Sequence, residues 1–256
     1  AEVQPIFDRH CVMCHDFGTE PGEKLNLARD RNLIFNTSYN ELWRKGYIIV
    51  TGAGASKIPV PRTWGSHASP LIKTLQKGHQ GIKLSKEEFE RLATWIDLNA
   101  VFYGSFASAY PENRGGRSPL SPAEEDRLAE LTGIKITDQY YHNRNRGPLV
   151  CFDRPEISPI LSGLKLGDKK YIEALSIIVK GKERLKENPP SDMPGFKITM
   201  ENNPADVWHE DMYQYLRWIE MRNRKAIREG EKIYDTDQPN FDDWNKEKFS
   251  NVDHMR

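Results

Sequence analysis

The sequence predicts a mainly α protein, and three observations carry that prediction. Apolar residues recur at helical spacing: Leu71, Ile72 and Leu75; Phe89, Leu92, Trp95 and Ile96; Tyr171, Ala174, Leu175 and Ile178; Trp208, Met212, Tyr215 and Ile219. Two S-x-x-E capping boxes, Ser85 to Glu88 and Ser121 to Glu124, mark helix starts. Strand signals are sparse, with one short candidate, Leu149 to Phe152, inside the stretch TDQYYHNRNRGPLVCFDRPE that otherwise reads as loop.

Composition bounds the rest. The chain has 256 residues, enough for one large domain or two small ones. Lys+Arg and Asp+Glu are both 37, so the net charge is zero, and neither nucleic acid nor an anionic membrane is an expected partner. Hydrophobic residues make up only 38%, which predicts a modest core with long polar connections. No run of about eighteen apolar residues exists, so no transmembrane segment is expected. The 3 cysteines are too few for a disulfide framework, and Cys151, left alone, is expected to be a buried small hydrophobe.

Taken in order, Val3, Ile6 and Phe7 lie at helical spacing, and Pro5 suits a first helical turn. The stretch DFGTEPGEKLNL after it reads as a polar loop, and a helix is expected around Tyr39 to Tyr47. Residues 50–69 are rich in Gly, Pro and Ser and show little periodicity. Helix, loop and helix follow: an apolar stripe ending at Gly78, then the capped helix from Ser85 to about Leu98. From about Phe106 the chain turns linker-like, and a short charged helix runs from Ser121 to about Leu131. Another helix is expected around Lys169 to Val179, then a proline-rich loop, KENPPSDMPGF. Asn203-Pro204-Ala205-Asp206 opens the longest predicted helix, to about Arg228, and the tail beyond it is polar.

Cys11-Val12-Met13-Cys14-His15 carries the chemistry. It is a C-x-x-C-H motif, the pattern of covalent haem c attachment. Two sulfurs form thioethers to the haem vinyl groups, and the next residue, His15, ligates the iron. A bare C-x-x-C also serves redox dithiols and half zinc sites. Here no second C-x-x-C completes a zinc site, no βαβ pattern precedes the motif, and the histidine follows at once. One covalent haem c is therefore the expected cofactor. The compartment expected is extracytoplasmic, because bacteria attach haem c outside the cytoplasm, and the start at Ala1 reads as that of a processed or excised chain.

The second axial position decides between electron transfer and catalysis. His79 lies in Gly78-His79-Gln80-Gly81, where glycines allow the backbone close to a flat ring. Its loop joins two apolar helices expected to flank the haem. His67, Met193 and an open site are the alternatives. His10 is too close to the attachment turn to reach the opposite face, His142 is expected at the surface, His209 to be solvated or locally bonded, and His254 lies in a polar tail.

The segments VQPIFDRHCVMCHD and GSHASPLIKTLQKGHQGIKLSKEEFERLATWIDLNAVFYG resemble the haem c domains common in planctomycete-type large proteins. They are especially similar to the C-terminal haem domain of hydrazine synthase α-subunit-like proteins. PSDMPGF resembles a segment downstream in the same relatives. The resemblance implies a class I cytochrome c-like core over residues 1–105 and a largely helical, loop-rich extension over 106–256 packed on it. In simpler members a methionine in a Met-Pro-Pro turn ligates iron, and His79 stands in the corresponding turn here. The implied haem is thus bis-histidine and low-spin, with Cys11, Cys14, His15 and His79 as its residues and electron relay as its role. The implied partners are redox proteins or a larger multi-subunit haem complex. A catalytic subunit of the hydrazine synthase type, acting on small nitrogen species, needs a second haem, and no second motif is present. A haem-stabilised docking module is the third reading, and in either non-catalytic reading the chain is not an enzyme by itself.

Overall fold

The computed structural model describes residues 2–51, 60–105, 107–136 and 147–197, with short stretches between 214 and 231. Contacts divide the chain into two compact units, Ala1–Asp206 and Val207–Arg256. The first unit is mainly helical. Its helices are α1 (Gln4–His10), α2 (Glu20–Lys24), α3 (Thr37–Arg44), α4 (Pro70–Lys77), α5 (Lys86–Asp97), α6 (Pro122–Thr132) and α7 (Lys169–Glu187). Among the described residues, strand pairing is reduced to one isolated bridge, Arg31 with Asn36.

Local chemistry explains most of these elements. Helices α1, α4 and α6 each carry Pro in the first turn, where the missing N–H costs nothing. Ser85 and Ser121 accept from the N–H three residues on, and Glu88 and Glu124 reach back to the cap N–H, so both predicted boxes are closed. Asn36 caps α3 through Tyr39 N. Helix α6 ends on Gly133, whose φ of 72° is left-handed.

Three expectations are corrected. The stretch after the C-x-x-C-H motif is not wholly loop: Thr19 accepts from Gly22 N and starts the short α2. Leu149 to Phe152 is not a strand, because its partners are mixed. Val150 N donates to the Asn32 side chain, Cys151 N to Ser158 Oγ and Phe152 N to Arg31 O, so no regular ladder forms. Helix α7 runs beyond Val179 to Glu187, since Gly181 is used for close packing rather than as a stop. The helix expected from Asn203 to Arg228 lies mostly outside the described residues; its described positions from Gln214 onward are helical.

Two apolar clusters fill the first unit. One combines Ile6, Phe7, Leu25, Leu27, Leu42, Ile48, Leu71, Ile72, Leu92, Ile96 and Ala100 from α1, α3, α4, α5 and the segments between them. The other combines Leu120, Leu128, Leu131, Val150, Phe152, Ile160, Ile178 and Leu185, and takes Leu33 from the first hundred residues. The change near Phe106 is thus a change of cluster, while residues 106–206 share one compact unit with residues 1–105. Aromatic rings line the joint: Phe35, Tyr39, Phe102 and Tyr103 meet with centroids 4.7–5.8 Å apart.

Helix α7 lies close enough to Phe152 that a Cβ at Gly181 would sit 2.4 Å from the Phe152 ring and 2.9 Å from Leu120. Gly181→Ala is therefore expected to destabilise by about 1–3 kcal/mol through overpacking, despite the better helix propensity of Ala. Leu92→Ala, at a position 1% exposed, is expected to cost about 2–5 kcal/mol by leaving a cavity. Denaturant titration of both variants checks these values.

Helices α6 and α7 are joined by Arg184, which donates to both carboxylate oxygens of Glu124 at 2.5 and 2.8 Å. Burial opposes the charged form of Glu124, but Arg184 and the Ser121 N–H outweigh it and hold the carboxyl down at about 2. A carboxyl depressed on folding stabilises above its unfolded value, and that contribution is lost as pH falls towards about 2. Glu124→Gln is expected to lower the melting temperature at neutral pH and flatten its decline between about pH 5 and pH 2. Thermal melts across that range test it.

Candidate functional site

Helix α1 buries Ile6 and Phe7 and points its C-terminus into the motif. Cys11 caps it, and the chain then coils tightly. Cys11 N and Val12 N both donate to Phe7 O, at 2.8 and 3.0 Å. Cys14 N and His15 N both donate to Cys11 O, at 3.1 and 2.9 Å. Cys11 is half-buried and Cys14 exposed, and both thiols are free. Burial and then the neighbouring Cys14 push the Cys11 thiol up to about 11. Met13 between them is 91% exposed, so it plays no part in packing.

His15 is held from two sides by one segment. Its Nδ1 lies 2.8 Å from Leu25 O, and its own carbonyl accepts from Leu27 N at 2.8 Å. A carbonyl only accepts, so Nδ1 carries the proton and Nε2 keeps a lone pair for a metal. The 16–30 segment folds back tightly: a Cβ at Gly22 would fall 1.8 Å from Asp16 O, so only glycine fits there.

His79 is delivered by α4 and α5. Gly78, Gln80 and Gly81 all have positive φ, of 84°, 49° and 72°, and Ile82 N closes a turn on His79 O. This tight turn brings the two predicted histidines together. The His15 and His79 rings approach with centroids 5.9 Å apart and planes 36° from parallel. With about 2 Å metal–nitrogen bonds and ring centres roughly 1 Å behind the nitrogens, two imidazoles across one metal ion sit about 6 Å apart.

Glu88 links the two halves of the site. Besides capping α5, it pairs with Arg9 and lies 3.1 Å from His10 Nε2, at the end of α1 just before Cys11. The Ser85 N–H, then His10, hold its carboxyl down at about 2. The sequence showed the cap but not this second contact, because Arg9 and Glu88 are 79 positions apart.

The alternatives sit elsewhere. His67 is exposed, on the approach to α4, where its neighbour Ser66 is bonded to Asp97. Met193 packs against the second cluster, the one built on α6 and α7, beside Asp192, which pairs with the buried Arg31. His142, His209 and His254 lie outside the described residues. Cys151 is fully buried, and desolvation pushes its thiol up, which suits an inert packing residue.

A contact that the sequence did not signal is Arg154. It donates to Asp16, the residue after His15, from Nη1 at 2.9 Å and Nη2 at 2.6 Å. It also donates to Asp30 from Nε at 2.9 Å and pairs with it again through Nη2. The Arg154 bond, above all, holds the Asp16 carboxyl below the usual carboxylate range.

The donor set fits a haem better than a protein-only metal centre. Among the described residues, no three His, Cys, Asp or Glu side chains converge on a metal position. What comes together is one histidine pair, with the free Cys11 and Cys14 thiols shortly before His15 in the chain, and a tetrapyrrole brings the other four donors itself. Half-buried apolar side chains lie around the cluster that carries both histidine loops, among them Val12, Val50, Leu75, Leu84, Phe89 and Trp95. Among the described residues no helix is long and apolar enough to cross a membrane. No protein-family model, curated protein or solved structure matches the chain.

Proposed function

We propose that this chain is a one-electron carrier holding a single covalent haem c. Cys11 and Cys14 would supply the thioethers, and His15 and His79 the two axial nitrogens. The approach of the His15 and His79 imidazoles to 5.9 Å between centroids, with His15 directly after the C-x-x-C turn, is the observation that carries the reading. The C-x-x-C-H pattern and the haem c domains it resembles support it from the sequence side.

Bound there, the group supplies a ferric–ferrous couple. The chain's own residues decide how that couple behaves. Leu25 O holds the His15 proton at Nδ1 and leaves Nε2 to the iron. His79 would be the second residue to hold the group, and its occupation of that position would favour electron transfer over substrate binding. A second imidazole in place of a thioether lowers the potential, because methionine is the ligand that favours ferrous iron. The partners are redox proteins, or neighbours in a larger haem complex, in an extracytoplasmic compartment.

Intact mass is expected to exceed the chain mass by one haem, and acid–acetone extraction to leave the colour on the protein. Colour lost to the solvent overturns covalent attachment. His79→Ala is expected to bind carbon monoxide in the ferrous form and to shift the ferric spectrum towards high spin. His79→Met is expected to stay six-coordinate with a raised potential. His67→Ala and Met193→Leu are expected to do neither. A wild type that itself binds carbon monoxide readily overturns the carrier reading in favour of a catalytic haem acting on small nitrogen species.

A further inference from the structure

Residues 16–30 form a loop that passes beneath His15 and is tied at its neck. One end is Asp16, directly after the ligand. The other is Asp30, only 1% exposed. Between them, Leu25 O accepts from the His15 ring and Leu27 N donates to the His15 carbonyl. Inside the loop, Thr19 Oγ1 contacts Cys14 O at 2.6 Å and Asp16 O at 2.9 Å, but these contacts bind only its first turn. Leu27 O also accepts from Gln4 Nε2, and Ala28 O from Ser38 N, both at 3.0 Å, but among the described residues what bridges the two ends of the loop to each other is the guanidinium of a residue 138 positions along the chain from Asp16 and 124 from Asp30.

We infer that Arg154 is a positioning residue for the iron ligand: by clamping Asp16 to Asp30 it holds the Leu25 carbonyl against His15 Nδ1, and so lets the second half of the chain set the potential of a haem bound by the first. The inference deepens the haem reading above and rests on it.

Geometry supports this at each step. A planar fork that meets two carboxylates with both edges fixes their separation and orientation, which a point charge such as an ammonium cannot do. Asp30 is nearly fully buried, so its carboxylate depends on that partner for compensation. Its backbone carbonyl also anchors α3, accepting from Thr37 N at 2.8 Å and Thr37 Oγ1 at 3.0 Å. The segment carrying Arg154 is docked beside it, with Phe152 N on Arg31 O and Arg31 N on Asp153 Oδ2 at 2.6 Å. Arg154 therefore sits on a fixed platform, and the neck of the loop cannot widen without breaking its bonds. A hydrogen bond from a ligating imidazole to a carbonyl increases the ligand's basicity and favours ferric iron. A loosened loop lengthens that bond and raises the potential.

The test uses the holoprotein and three readouts: midpoint potential, melting temperature and hydrogen exchange at the Leu27 amide. Arg154→Met is expected to shift the potential positively and to speed Leu27 exchange by about tenfold or more. Arg154→Lys is expected to recover only part of both, since an ammonium cannot bridge two carboxylates in a fixed plane. Arg184→Met, which breaks an ion pair in the other cluster, is expected to lower the melting temperature and leave potential and Leu27 exchange unchanged. Asp16→Asn keeps the Asp30 pair, and so gives a milder variant should Arg154→Met fail to fold; it is expected to move both readouts in the same direction. A lowered melting temperature with unchanged potential and exchange, in Arg154→Met or Asp16→Asn, reduces Arg154 to a structural link and overturns the inference. Failure of the haem reading shows separately, as a wild type without covalent colour, while Leu27 exchange still reports whether the clasp holds the loop.

Discussion

The segment from Asp30 to Leu33 is the constraint on which both halves of the first unit depend. Leu33 leaves the first hundred residues and enters the cluster built by α6 and α7. Beside it, Arg31 O accepts from Phe152 N, and the Asn32 side chain accepts from Val150 N. Asp30 meets Arg154, and the buried Arg31 guanidinium meets Asp192 and Tyr103. A chain with 38% hydrophobic residues has little apolar surface to hold its parts together. Directional bonds between stretches that each carry both signs of charge, Asp30-Arg31 and Asp153-Arg154, supply the specificity that area alone does not.

The candidate site is built on this junction rather than beside it. His15 and Asp16 are adjacent in the chain, yet they face different tasks. His15 lies near His79, with ring centroids 5.9 Å apart, while Asp16 is held by a residue of the other cluster. The loop that orients the imidazole starts at Asp16 and ends at Asp30, both fixed from outside. On the opposite side, Glu88 joins the end of α1 to the start of α5 and so limits how far the His79 turn can drift from the cysteines. Each histidine loop is thus tied to ion-paired carboxylates, Asp16 and Asp30 for the His15 loop and Glu88 for the His79 turn, whose partners come from a distant part of the sequence. Such support is what keeps ligating side chains in productive geometry.

Local signals carried the helices well, because caps and periodicity act over three or four residues. The Ser85 and Ser121 boxes, the stripe through Leu92 and Ile96, and the stop at Gly78 were all legible in this way. Two of the failures share a cause. Leu149 to Phe152 has strand composition, but its backbone finds side chains and a loop carbonyl instead of a neighbouring strand. Helix α7 outruns Val179, with the Phe152 ring packed close to Gly181. In both, neighbours tens of residues away take part: Arg31 and Asn32 in the first, Phe152 in the second.

By itself the sequence determined the C-x-x-C-H motif, the sparse strands, the capped helices and a short list of histidines, since each depends on spacing within one turn or one loop. Only the tertiary structure decided which histidine comes near His15. The positive-φ turn at Gly78, Gln80 and Gly81 and the packing of α4 and α5 bring His79 within 5.9 Å, while His67 stays exposed and Met193 joins the other cluster. It also decided that Arg154 grips Asp16 and Asp30. A guanidinium and two carboxylates carry no mark of their pairing in sequence; chain folding brings them within hydrogen-bond reach, and burial of Asp30 makes the pairing obligatory.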